Sequence, residues 1–194
     1  RTDDEKTADE ELDFIPFRFE DMSGNRIVFR AILSAITDTF TPSYSEQKYI
    51  GRPDKVYVYT GTDRAISFTF SIYPKSDQEL VRLWEKMNYL AGLTYPTWDD
   101  TGMGMVAPFC KLTIGDMFKD TPGYISGLTY TVQDTGTWET VFAKLPKYIQ
   151  AQCTFVYIGK RLPASNQKQY EVKWIPETKY TKEAGAAAFE ANVV

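Results

Sequence analysis

The stretch "KYIGRPDKVYVYTGTDRAISFTFSIYP", Lys48 to Pro74, carries the most regular strand pattern in the chain. From Ala65 to Tyr73, the residues Ile66, Phe68, Phe70 and Ile72 alternate with Ser67, Thr69 and Ser71. A period of two, one face apolar and the other hydroxylic, describes an antiparallel strand packed on one side and wet on the other. Lys55 to Thr60 alternates too, with Tyr57 and Tyr59 on the face opposite Val56 and Val58. Between the two runs, Gly61-Thr62-Asp63-Arg64 reads as the turn of a hairpin, and Gly51-Arg52-Pro53-Asp54 as a separate turn before it.

Working outward, "FIPFRFEDMSGNRIVFRAILSAITD" reads as strand, turn, strand, with Ser23-Gly24-Asn25 as the turn. The second of these strands, Arg26 to Thr37, places Ile27, Phe29, Ala31, Leu33 and Ala35 on one apolar face, which suits a central or covered strand. Asp38 to Pro53, with Thr41-Pro42-Ser43 and the polar run Ser45 to Gln47, reads as a connecting loop. After Pro74, Ser76-Asp77-Gln78-Glu79 forms a capping box, and Leu80, Leu83, Trp84, Met87, Leu90 and Ala91 recur at helical spacing. One amphipathic helix over about 76–92 is predicted, ended by Gly92 and Tyr95-Pro96.

A Gly- and Met-rich loop, Asp99 to Pro108, comes next. Further strands are predicted at Phe109–Ile114, Tyr124–Asp134, Ile149–Ile158 and Tyr170–Ile175, with "GDMFKDTPG" as a turn region. The expected fold is mainly β (α+β), an antiparallel barrel or sandwich with one flanking helix. The chain divides into an acidic arm (residues 1–13), a single β-rich domain (residues 14–175) and a polar, then Ala-rich tail (residues 176–194). The first residue is Arg1, which admits a processed chain or a segment of a longer one.

Composition removes several function classes. The 194 residues suffice for one sizeable core, and the net charge of −4 comes largely from the acidic arm, so no basic face marks a nucleic-acid binder. No run of about 18 apolar residues announces a membrane helix. There are no histidines, which removes Ser-His and Cys-His nucleophile pairs and His-bound zinc. Cys110 and Cys153 lie in apolar strand-like runs, which favours two buried free thiols and a reducing site of synthesis over the alternative of a bridge between them. Asp99 and Asp100, with Asp116 and Asp120, offer the one set of carboxylates for a cation or acid–base site. Aspartate beside Gly, Thr and Pro is also what turns use for local hydrogen bonds, and that reading is preferred. No catalytic residue, metal ligand or cofactor is expected.

Contact with other chains is what remains. Arg52, Asp54, Lys55 and Arg64 decorate the ends of the Lys48–Pro74 stretch, and Tyr57 and Tyr59 put aromatic groups on a strand face backed by valines. A strand with apolar groups on both sides belongs in a two-sided core or at a protein contact. These six residues are the candidate interface. A second possibility is a carbohydrate- or peptide-binding β-sandwich that uses Trp98, Trp138 and Tyr124 as an aromatic platform.

The set of motifs "YIGRPDKVYVYTGTDRAISFTFSIYPKSDQELVRLWEKMNYLAGLTYPTW", "VAPFCKLTIGDMFKDTPGYISGLTYTVQDTGTWET" and "LPKYIQAQCTFVYIG" resembles the split-barrel proteins of phage tails. These are the tube, tube-initiator and hub-associated baseplate components of contractile-tailed phages. The resemblance spans roughly Phe14 to Gly159. It implies a tail-tube type of β-barrel in a virion protein synthesised in the host cytoplasm, which forms a ring (of six copies) around the tube axis. The partners so implied are the chain itself and other tail or baseplate proteins, with no nucleic-acid contact and no membrane span required.

Overall fold

Gly24 adopts a positive φ of 86°, which lets the chain reverse between β1 (Phe17–Asp21) and β2 (Arg26–Val28). Beyond β2 the computed structural model shows β3 (Ile32–Lys48), β4 (Lys55–Ile72), helix α1 (Asp77–Gly92), β5 (Thr97–Trp98), β6 (Met105–Val106), β7 (Cys110–Ile114), β8 (Phe118–Val132) and β9 (Ile149–Tyr157). The structure describes residues 15–98, 104–132, 137–141, 144–160, 168–170 and 172. Both terminal segments, and all but Tyr170 and Val172 of the strand expected at Tyr170–Ile175, lie outside the described residues.

Among the described residues the fold is mainly β and antiparallel, with one helix. Seven strands form a sheet in the order β2-β1-β7-β8-β9-β4-β3, while β5 and β6 pair as a separate ribbon. β1 and β4 are separated in that order by β7, β8 and β9, yet the rings of Phe17 and Phe70 meet edge-on at 5.0 Å. The sheet therefore curls until its inner face meets itself. Strand twist drives such curling, and register shifts at Leu112/Ile114, Ile125/Gly127 and Ser34/Thr37 sharpen it.

The inner face is the alternation read from the sequence. Ile66, Phe68, Phe70 and Ile72 of β4 are buried beside Ile149, Ala151, Cys153 and Phe155 of β9, and Phe17, Phe19 and Phe29 close the cluster from the far end. α1 covers this core with Leu83, Met87 and Leu90, and the Tyr130 hydroxyl of β8 donates to the Met87 carbonyl at 2.9 Å. Its start is as predicted: the Ser76 side chain accepts from the Glu79 N–H at 3.2 Å. The returning carboxylate of Glu79 accepts from Lys75 N–H at 2.8 Å.

Five expectations change. Gly61–Arg64 is not a turn, because β4 runs unbroken from Lys55 to Ile72. Asp38–Lys48 is not a loop but the outer part of β3, paired with β4 throughout. The hairpin is therefore β3–β4, and Gly51-Arg52-Pro53-Asp54 lies in its tip rather than ahead of it. The strand expected over Arg26–Thr37 is split: residues 29–31 carry the chain from one end of the sheet order to the other, and Ala35 sits at φ 51° in a bulge. β8 begins at Phe118, so most of the expected "GDMFKDTPG" turn is strand, with Lys111 paired to Pro122 and Cys110 to Gly123. Within the Asp99–Pro108 loop the described part includes β6, paired with β5.

Candidate functional site

From Lys55 to Arg64, β4 has β3 as its partner, and β9 joins it only at Ala65, opposite Val156. Phe40–Lys48 and Lys55–Arg64 thus leave the body as a two-stranded arm, roughly 30 Å long at 3.3 Å per residue. Pro42 is tolerated inside β3 because β3 ends the sheet order and, among the described residues, one of its edges carries no ladder. At the tip, Gly51 takes a φ of 91° and the Arg52 N–H donates to the Tyr49 carbonyl at 3.3 Å.

Register decides what each face of the arm presents. Tyr44 lies opposite Tyr59, Glu46 opposite Tyr57 and Lys48 opposite Lys55, so these side chains share one face. Ser45 opposes Val58 and Gln47 opposes Val56 on the other. A register shift lets Ser43 pair with Gly61 and Tyr44 with Tyr59, leaving Thr60 as the extra residue. Its hydroxyl donates to the Ser43 carbonyl at 2.9 Å. Of the residues read as a turn, Gly61 adjoins this bulge, and Thr62, Asp63 and Arg64 pair regularly with Pro42, Thr41 and Phe40.

The arm buries little of its apolar surface. Tyr57 is 60% exposed, Tyr44 57%, Tyr59 56%, and Ile50 at the tip is fully exposed. Tyr44 and Tyr59 meet edge-on with ring centroids 5.7 Å apart, and the Tyr59 hydroxyl shares a 2.7 Å hydrogen bond with Thr62. Lys55 pairs with Glu46, and Arg52 with Asp54 at 2.9 Å, so the charges near the tip are matched within the arm. An isolated two-stranded ribbon is marginal in water, and its unpaired backbone edges are templates for another strand.

Five of the six candidate residues, Arg52, Asp54, Lys55, Tyr57 and Tyr59, stand together on the outer arm and its tip. Arg64 does not. It is turned inward at the root of the arm, 8% exposed, and pairs with the buried Asp38 at 2.7 Å. Reading the opposite strand as a loop hid Phe40, Tyr44, Tyr49 and Ile50, which are also exposed. A signal for part of this set existed: Phe40 and Tyr44 are an even number of residues apart, as same-face strand residues must be.

The other sequence candidates are scattered. Trp98 lies on β5, Tyr124 on β8 and Trp138 in an isolated bridge to Pro146, all exposed. Asp99 and Asp100 lie outside the described residues. Asp116 is an exposed turn residue, whereas Asp120 pairs with Arg18 at 3.0 Å and accepts from the Thr113 hydroxyl at 3.2 Å. Among the described residues no group of three or more His, Cys, Asp or Glu side chains is placed to hold a metal. Cys110 and Cys153 are free and buried, and burial pushes both thiols up to about 12, leaving negligible thiolate at neutral pH. Among the described residues no helix is long and apolar enough to cross a membrane.

No protein-family model and no curated protein matches the chain. Among solved structures the chain is similar to one from the tail of an empty GTA particle, computed with helical refinement in C6 symmetry. The two are 13% identical with a TM-score of 0.39, over 77% of this chain and 96% of that one. A likeness at that score assigns no role to any residue described above.

Proposed function

We propose that this protein is a non-enzymatic structural component of a bacteriophage tail or baseplate, which assembles into rings around the tube axis and uses its arm to join neighbouring subunits. The observation that carries the reading is the arm itself. Among the described residues its aromatic face and apolar tip lie open and no further strand pairs with its two edges, although solvent gives those side chains no reason to be apolar. A neighbouring chain that completes the ladder or covers Tyr44, Tyr57 and Tyr59 would supply that reason. The sequence resemblance to phage-tail split barrels supports the same reading and adds the ring, its six copies and the virion as the place of action.

The test is assembly. Native mass spectrometry and negative-stain microscopy of the recombinant chain should show rings or short tubes that form with rising concentration. A variant with Ile50→Ser, Tyr57→Ser and Tyr59→Ser should stay folded and remain a monomer. A wild-type chain that is monomeric at every concentration and absent from purified tailed particles would overturn the proposal. The rival reading, a glycan- or peptide-binding module, predicts a different outcome: ligand binding lost on Trp98→Ala or Trp138→Ala, with assembly never seen.

A further inference from the structure

The root of the arm holds a buried ion pair whose partners come from separate parts of the chain. Arg64 Nε and Nη2 donate to both carboxylate oxygens of Asp38, at 3.0, 3.2 and 2.7 Å. Both side chains are nearly closed to solvent, at 8% and 5% exposure. The guanidinium lies over four rings: Phe40 of β3 at 4.6 Å, Tyr157 of β9 at 5.0 Å, Tyr170 at 5.1 Å and Phe118 of β8 at 5.6 Å. Two further bonds come from residues 168–170. Arg64 Nη1 donates to the Gln169 carbonyl at 3.0 Å, and the Tyr170 hydroxyl donates to Asp38 Oδ2 at 2.9 Å. Tyr170 also packs against Phe118 with ring centroids 6.1 Å apart.

The position of this node matters as much as its contents. Arg64 is the last residue of β4 before β9 takes up the ladder, so the node lies where the two-stranded arm leaves the seven-stranded sheet. A free two-stranded ribbon twists and bends easily at such a junction. A desolvated ion pair tolerates little rearrangement, because exposing one partner leaves the other charge buried without its match. Arg64, the arm's last residue, satisfies this demand with a planar fork that bonds in two directions at once, toward Asp38 where β3 lies on the body and toward Gln169.

We infer that residues 168–170 are a strap that sets the direction of the arm. With Tyr170 and Gln169 in place, arm and body are clamped through one guanidinium. When the strap lifts, Asp38 loses one donor and Arg64 one acceptor, water reaches the pair, and the arm swings about its root. A chain that joins an assembly can then hold its arm in one direction before docking, or change that direction by moving the strap. The inference does not depend on what the arm meets.

Spin labels at Ile50→Cys on the tip and Glu85→Cys on the exposed side of α1 report the arm's direction as a distance distribution. The two native thiols are buried and stay unlabelled. The wild-type background should give one narrow distribution, and Tyr170→Ala a clearly broader one. Hydrogen exchange of the same proteins, without labels, should speed up about tenfold over residues 38–47 in Tyr170→Phe, which keeps the ring and loses only the hydroxyl bond to a carboxylate. Amides of β8 and β9 should keep their protection in both variants. An unchanged distance distribution in Tyr170→Ala overturns the strap. So does a loss of protection spread evenly over the whole sheet, which would make Tyr170 an ordinary stabilising residue.

Discussion

One strand of this protein lives in two environments. The first part of β4, Lys55 to Arg64, shares a ladder with β3 alone and is mostly exposed, whereas Ala65 to Ile72 of the same strand lies between β3 and β9 with its alternate residues in the core. The backbone is extended throughout. What differs is the supply of partners, and the side chains follow it: Ile66, Phe68, Phe70 and Ile72 face a filled interior, while Tyr57 and Tyr59 face solvent. An apolar side chain in the body is there for folding. An aromatic on the arm is mostly exposed and contributes little to the core.

The comparison is open to direct attack, starting where the largest loss is expected. Phe70→Ala should cost about 3–5 kcal/mol in urea unfolding, because the ring touches Phe17 at 5.0 Å and Phe29 at 5.5 Å and leaves a cavity no neighbour can fill. A loss below about 1 kcal/mol would show that the body half is not the core-forming one. Gly123→Ala should cost about 1–3 kcal/mol by the same measurement. A Cβ there would stand 2.1 Å from the Val156 carbonyl oxygen and 2.5 Å from Phe155 Cε1, so β8 or β9 must shift.

A smaller effect should depend on pH. Burial pushes the Glu20 carboxyl up, but hydrogen bonds from Lys111 at 3.0 Å and Arg26 at 2.5 Å outweigh it and hold the group below the usual carboxylate range. A carboxylate depressed in the folded state adds stability that is complete above its unfolded value and is lost as pH falls through the folded one. Acid titration of stability should therefore steepen below about pH 4.5, and Glu20→Gln should flatten that limb while removing up to roughly 1 kcal/mol at neutral pH. A limb unchanged by the substitution would remove Glu20 from the account. The smallest effect belongs to the arm. Ile50→Ser with Tyr57→Ser should alter monomer stability by no more than about 0.5 kcal/mol, even though both side chains are large and apolar. If instead the monomer loses several times that amount, the arm is part of the folding unit and the contrast between the two halves fails.

The contrast also explains which parts of the fold were legible in the residues. Where a strand is half buried, selection for the core writes a period of two into the sequence, and Ala65–Ile72 and Ile149–Tyr157 were readable for that reason. α1 was readable from its Ser76 cap and its apolar stripe. Thr39 to Lys48 has no buried face, so nothing forces alternation on it, and Ser, Thr and Gln made it resemble a loop. The candidate site suffered accordingly: Tyr57 and Tyr59 were found on the readable strand, whereas Tyr44, directly opposite Tyr59, was missed. Arg64 was misplaced because a charged residue beside Gly61 and Asp63 looks like part of a turn until its partner Asp38 is brought alongside it.

Local chemistry by itself determined the antiparallel β character, the helix over Asp77–Gly92 with its ends, the absence of any histidine, and the side chains of β4 and β9 that would fill the core. It could not determine which of two turn-like segments, Gly51–Asp54 and Gly61–Arg64, reverses the chain, because both contain a glycine and an aspartate next to other turn formers. Only the tertiary structure decided that, and the reason is long-range. Hydrogen bonds from Phe40–Ser43 are available to hold Gly61–Arg64 extended, and among the described residues no strand is in register to do the same for Gly51–Asp54. The arm, its aromatic face and the ion pair at its root all follow from that one choice.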